Sequence, residues 1–273
     1  MENINVLNRE DNNNMDFCQK NNLIKGIKDD IMSDVRKEFL TTQIPTGIKA
    51  FDKEIDGGIC KDTITLVAGR EKSGKYEILK EMAVNIANSG RRVMYITTLE
   101  KSTDESIKEE LSAIVTRKGL EPSVLNNIVA YSKRDLDITT LCVMVGIEEN
   151  NRGLDAIIID DDKVIMNNKA LSKKIDKVSY SNIVSDELCK LSKVLNINVF
   201  IGVRVVKRCD SKGYIPKHND LKDASRLNQV AHLLVSTYKD DVYNDSTDKT
   251  GEISIHIIKN RGGGRGNTFN VKL

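Results

Sequence analysis

The residues Gly69-Arg70-Glu71-Lys72-Ser73-Gly74-Lys75 carry a G-x-x-x-x-G-K spacing. Glycines let successive backbone N–H groups curl around phosphate oxygens, and a helix opening behind them adds positive potential. A lysine at position 75 would reach the β- and γ-phosphates of a nucleoside triphosphate. Gly69, Arg70, Glu71, Lys72, Ser73, Gly74, Lys75 and Tyr76 are therefore the candidate nucleotide-binding residues. A surface turn that happens to hold this spacing is the other reading. The residue after the lysine should be Ser or Thr, whose hydroxyl ligates Mg²⁺, and here it is Tyr76. A phenol on a long planar side chain cannot place its oxygen where a short hydroxyl would sit. Magnesium bridging of the β- and γ-phosphates is expected to be weak, with hydrolysis affected more than binding.

Two carboxylates could complete such a site. Leu154–Asp160 is an apolar run ending in an acid. A buried strand there would deliver Asp160 beside the phosphate loop, where it would serve the metal's hydration shell. Asp160-Asp161-Asp162 could equally be a solvated turn. Thr97-Thr98-Leu99-Glu100 closes another strand-like run. Glu100 at that strand's end could polarise an attacking water as general base; a solvent-exposed glutamate opening a loop is the alternative.

The elements that must position these residues follow from periodicity. Ile64–Ala68 reads as a buried strand, and residues 75–89 as one amphipathic helix closed by Gly90. Further strands are predicted at 93–97, 128–131, 156–159, 197–203 and 232–236, with helices at about 103–118, 138–149 and 179–195. Strands alternating with helices of this length argue for a mostly parallel sheet covered on both faces. Near the end, Ile253, Ile255 and Ile257 alternate with polar residues, Gly262–Gly264 makes a turn, and Phe269, Val271 and Leu273 alternate again. That is an antiparallel hairpin with Lys259, Arg261 and Arg265 at a basic tip. Upstream, residues 1–21 read as a flexible Asn-rich tail. A helix over about 22–40 carries the stripe Ile24, Ile27, Ile31, Val35 and Phe39. It could pack on its own domain or dock on a neighbouring subunit.

Composition narrows the classes. The 42 basic and 40 acidic residues leave +2, so any nucleic-acid role must rest on local clusters. Five scattered cysteines without a C-x-x-C pair predict neither disulfides nor a zinc site, and point to a reducing, cytoplasmic location. No signal-like or membrane-spanning run is expected, since none approaches the roughly 20 apolar residues a span needs. His218, His232 and His256 are too separated in sequence for a metal site.

In order along the chain stand Ile44-Pro45-Thr46-Gly47 through Phe51-Asp52, the glycine loop, Thr97-Thr98-Leu99-Glu100, Ile157-Ile158-Ile159-Asp160, Asp220-Leu221-Lys222-Asp223 and Lys259-Asn260-Arg261-Gly262. Together they resemble the C-terminal RecA-like domain of DnaB-type replicative helicases, over about residues 40–273. The resemblance implies an α/β, RecA-like P-loop NTPase core over 44–273 with a C-terminal antiparallel hairpin, and a linker-type helix over 22–43. It implies ATP and Mg²⁺ as cofactors and a hexameric ring around single-stranded DNA, meeting other replication proteins and no membrane. Carried over by position, Lys75 holds phosphates, Glu100 is the base, and Asp160 serves the metal. Lys259 and Arg261 match the pair that reaches the next subunit's nucleotide. Loops facing the channel would bring Lys169, Lys173, Lys174, Lys177, Lys207, Arg208, Lys212 and Lys217; ordinary solvated lysines are the other reading. Tyr214 is the one aromatic among them. The departures gather around hydrolysis: Tyr76, Asp161-Asp162-Lys163 where the family has Tyr-Leu-Gln, Val203-Arg204 where it has Ser-Gln, and Arg226 and His232 beyond. The family's helical N-terminal collar is not matched. A degenerate motor, a non-hydrolysing scaffold or regulator, and a recombinase-type ATPase are the readings this leaves.

Overall fold

The computed structural model describes residues 43–98, 102–133, 136–162, 165, 175–206, 209, 213–221, 225–263 and 266–273. The expected tail at 1–21 and the helix at 22–40 lie outside these residues. So does Glu100.

Eight strands make one sheet. They are β1 (Ile64–Gly69), β2 (Val93–Thr97), β3 (Ile128–Ser132), β4 (Ala156–Asp160), β5 (Asn198–Arg204), β6 (Leu233–Tyr238), β7 (Glu252–Asn260) and β8 (Thr268–Lys272). Their spatial order is β8-β7-β6-β1-β5-β4-β2-β3. The six strands from β6 to β3 run parallel, and β7 and β8 add antiparallel on the β6 edge. Among the described residues the α-helices are α1 (Lys49–Glu54), α2 (Lys75–Asn88), α3 (Asp104–Arg117), α4 (Ile138–Arg152), α5 (Lys177–Leu195) and α6 (Ser225–Val230). Residues Ile44–Leu273 form one compact unit. No described helix is long and apolar enough to cross a membrane.

The sheet is parallel and covered because its central strands are apolar on both sides. Every residue of β1, β2 and β4 is buried. Alternate side chains then sort into two cores. Val67, Tyr95, Ile158 and Phe200 face a layer that includes Phe51, Ile78, Leu79, Met82, Ile107 and Leu111. Leu66, Met94, Ile157, Ile159, Val199 and Ile201 face the other, with Leu141, Val145, Val184 and Leu188. The period-2 alternation of a strand divides each run between the two layers.

Strand positions match the periodicity to within a residue or two, and two helices begin or end elsewhere. α5 opens at Lys177 because Asp176 caps it, accepting from the N–H groups of Val178 and Ser179 at 3.0 Å each. α4 runs on to Arg152 before Gly153 turns the chain out at φ 74°. α1 and α6 are six-residue helices with too little sequence for a periodic signal. α1 is fixed by Asp52, whose carboxylate accepts from Thr46 N–H at 2.8 Å, Thr46 Oγ1 at 2.7 Å and Gly47 N–H at 3.0 Å.

α3 starts on a reciprocal cap. Ser106 N–H donates to Thr103 Oγ1 at 3.1 Å, and Thr103 N–H donates to Ser106 Oγ at 2.9 Å. Thr103→Ala removes one arm, and a loss of about 1 kcal/mol in urea unfolding is expected, with m unchanged.

Candidate functional site

The loop between β1 and α2 is held in one shape. Lys72 and Gly74 take φ of 61° and 90°. A Cβ on Gly74 would sit 2.7 Å from Ile253 Cδ1, so both backbone and space demand glycine there. A Cβ on Gly69 would come within 2.2 Å of Ser73 Oγ and 2.5 Å of Thr237 Oγ1. Those two hydroxyls meet each other at 2.8 Å, tying the loop to the end of β6.

Lys75 opens α2 and is 3% exposed. Its ammonium donates to the Val203 carbonyl at 3.4 Å and stands 4.6 Å from the centre of the Tyr76 ring. Burial lowers the lysine's pKa; the carboxylates of Asp161, Asp162 and Asp160 oppose this, and Arg204 adds to it. Three acids and one arginine thus act on the lysine's charge.

Asp160 ends β4, fully buried. Tyr95 Oη donates to its Oδ2, and its Oδ1 is buried without a hydrogen-bond partner. Burial pushes this carboxyl up to about 7, against the pull of the Tyr95 hydrogen bond and of Lys80 and Lys75. Asp161 is 5% exposed and lies at φ 120°, a region few L residues occupy. Such backbone costs on the order of 1–3 kcal/mol and persists where surroundings over-determine it. Here they do. Tyr76 Oη donates to Asp161 Oδ2 at 2.9 Å, Thr98 Oγ1 donates to the Asp161 carbonyl at 3.2 Å, and Arg204 Nε stands 3.3 Å from Asp161 Oδ1. Arg204 Nε is also 3.6 Å from Asp162 Oδ1. Burial and the charge of Asp161 raise Asp162 to about 7, with Arg204 and Lys75 opposing. Burial, then Asp161 and Asp160, push the Tyr76 phenol up, so it stays a donor at neutral pH. The alternative reading of residues 160–162 as a solvated turn is overturned: all three carboxylates are buried.

This geometry accepts one group and refuses another. The residues fit a triphosphate: the loop's close turn past Ser73, Thr237 and Ile253 leaves no room for a Cβ at Gly69 or Gly74, and Lys75 stands at the start of α2 behind it. Magnesium held from position 76 does not fit. The phenol is committed to Asp161, Asp161 also faces Arg204 at 3.3 Å, and Oδ2 of Asp160 already accepts the Tyr95 hydrogen bond.

Glu100 lies outside the described residues; β2, which would lead to it, pairs its last residue Thr97 with Asp160. Lys259 and Arg261 stand elsewhere. Leu233 pairs with both Thr65 and Asn260, which puts the hairpin pair near the start of β1. Four strand residues separate that level from Gly69, roughly 13 Å. Lys259 Nζ donates to the carbonyls of Asn228 at 2.7 Å and Gln229 at 3.0 Å, and Arg261 Nη2 donates to Gln229 O at 2.7 Å. Both cations therefore cap the C-terminal end of α6 in their own chain. Arg261 also lines a cavity of about 390 Å³ with Asp62, Lys193, Arg226 and His232. Arg265, Lys169, Lys173, Lys174, Lys207, Arg208 and Lys212 are outside the described residues, as is the side chain of Lys177. Tyr214 packs partly buried against the second core, and its hydroxyl donates to Asp220 at 2.8 Å.

Residue spacing alone missed Asp161 as a site residue. Its signal was only that it stands where the resembled family has tyrosine.

A family model for the DnaB-like helicase C-terminal domain matches residues 122–273, and one for the KaiC ATPase matches 44–195. The replicative DNA helicase DnaB of Buchnera aphidicola subsp. Baizongia pistaciae is 25% identical over 288 residues, covering 92% of this chain and 61% of that protein. The DNA repair protein RadA of Rickettsia prowazekii is 28% identical over 189 residues, 68% of this chain and 38% of RadA. The chain thus spans less than two thirds of the length of these relatives. A solved DnaB-like replicative helicase, described with its interactions with primase, superposes with a TM-score of 0.70 at 18% identity, over 84% of this chain and 61% of that one. The RadB recombinase superposes with a TM-score of 0.60 at 16% identity, over 84% of this chain and 95% of that one. The fold is RecA-like.

Proposed function

We propose that this chain, which belongs to the DnaB-like helicase C-terminal domain family, binds ATP at Gly69–Lys75 and turns it over slowly, in a ring that holds single-stranded DNA. The observation that carries this reading is the Tyr76–Asp161–Arg204 chain of contacts, 2.9 Å and 3.3 Å, closing the place beside a well-formed phosphate cradle where the metal would sit. Gly69, Arg70, Glu71, Lys72, Ser73, Gly74 and Lys75 wrap the phosphates. Asp160, with its unpartnered Oδ1, is the acid that would face a metal-bound water, and Glu100 is the base. The hairpin's Lys259 and Arg261 act on the next subunit's nucleotide, which in a ring of copies requires them to leave the α6 carbonyls. The reading extends to a homo-hexamer that meets other replication proteins in the cytoplasm.

A non-hydrolysing subunit that joins a related ring is the second reading, favoured by the same closed metal place. Steady-state ATP turnover with and without single-stranded DNA, together with native mass in the presence of nucleotide, tests both. Turnover below about 0.1 per second is expected, against a typical enzyme median near 10 per second. Rates of several per second would sink the impaired-motor reading. A strictly monomeric mass at high concentration with nucleotide bound would remove the role of Arg261 in trans. A slow but DNA-stimulated rate favours the motor over the scaffold.

A further inference from the structure

We infer that Arg204 is the built-in counter-charge, in place of a divalent cation, for a nucleoside triphosphate bound without metal. This rests on the reading that Gly69–Lys75 holds a nucleotide. Arg204 ends β5 directly abreast of Gly69, its partner in the parallel β1–β5 register. The residue before it, Val203, offers the carbonyl that takes the Lys75 ammonium. Its positive charge is close enough to Lys75 to depress that lysine's pKa. Two cations therefore stand side by side at the end of the phosphate loop, one on α2 and one on the neighbouring strand.

The guanidinium can be handed over. Its side chain is 28% exposed, and it meets Asp161 and Asp162 at 3.3 Å and 3.6 Å, ion-pair distances rather than close hydrogen bonds. A γ-phosphate offers it two oxygens at once, the fork geometry that guanidinium takes better than ammonium. Asp161 is not left alone when Arg204 moves, because Tyr76 Oη still donates to it. The phenol that excludes magnesium thus also makes the arginine exchangeable. A magnesium ion would have to break both contacts and then find its hydroxyl ligand missing. One guanidinium also carries half the charge of Mg²⁺ and bridges less tightly, which fits binding without fast transfer of the phosphoryl group.

The test is calorimetric titration of the full 273-residue chain with ATP, once in excess EDTA and once in excess magnesium. The two dissociation constants are expected to agree within about threefold, because little of the affinity comes from the metal. Arg204→Ala should weaken ATP in EDTA by at least about tenfold, the usual worth of a charged hydrogen bond, while ADP binding changes little. Arg204→Lys should recover part of the loss, keeping charge without the fork. If the alanine variant melts early, the lysine variant decides, by weakening ATP more than ADP in EDTA. ATP held only with magnesium, or held in EDTA equally well by both Arg204 variants, overturns the assignment and leaves nucleotide binding standing. No ATP binding in either buffer, with Lys75→Met indistinguishable from wild type, overturns the nucleotide site itself and this inference with it.

Discussion

Lys75→Met is expected to weaken ATP by at least about hundredfold while the chain keeps its fold, the first read by nucleotide titration and the second by circular dichroism and melting. The size follows from the geometry. Lys75 is 3% exposed at the start of α2, so its ammonium works in a low-dielectric setting where a charged hydrogen bond is worth about 1.5–3 kcal/mol. Two such bonds, one to each of two phosphates, exceed the roughly 2.8 kcal/mol that a hundredfold change requires. Methionine keeps the volume of the stem and its adaptability, which limits the packing cost. The carboxylates left facing it can also relax, because burial already raises Asp160 and Asp162 and the lysine's opposing charge is gone. Unchanged affinity in a folded variant would remove the loop from the function altogether.

Tyr76→Thr is expected to raise magnesium-dependent turnover by on the order of tenfold, measured as phosphate release at saturating ATP. The change supplies the short hydroxyl that a metal bridging the β- and γ-phosphates needs. It also withdraws the phenol from Asp161 Oδ2. Asp161 keeps its partner Arg204 at 3.3 Å, so the acid is not stranded and the fold should survive. On the inference that Arg204 stands in for the metal, the single variant should fall short of an ordinary motor. Arg204→Gln added to Tyr76→Thr should raise the rate further and make it fully dependent on magnesium. If neither variant exceeds the wild-type rate, the closed metal place is not what limits hydrolysis, and the search moves to Glu100 and the neighbouring subunit.

Much of the architecture is legible in the sequence. Ile64–Ala68 and Ile157–Ile159 read as buried strands because a strand covered on both faces has no polar side to interrupt its apolar run. The loop was legible for a related reason: Gly69, Gly74 and Lys75 lie within seven residues, so the chemistry is local in the chain. α1 and α6 were not legible, being too short to show a period, and α1 depends on Asp52 reaching back to Thr46 and Gly47. The fate of Lys259 and Arg261 was also out of reach. Their position on a hairpin tip says nothing of the Asn228 and Gln229 carbonyls that hold them.

Sequence by itself determined the glycine-rich loop, the strand that brings Asp160 beside it, and a tyrosine rather than a short hydroxyl at position 76. These are properties of neighbours in the chain, and local sterics and periodicity are enough to specify them. Only the tertiary structure decided what the Tyr76 hydroxyl meets. Tyr76, Asp161 and Arg204 come from the first turn of α2, the end of β4 and the end of β5, and no spacing links them. The order β1-β5-β4 in the sheet brings those ends together over the loop. Once there, burial makes each charge depend on the others, because a carboxylate removed from water must be met by a donor or a cation. That requirement brought three polar residues from separate segments into one buried group beside the glycine loop.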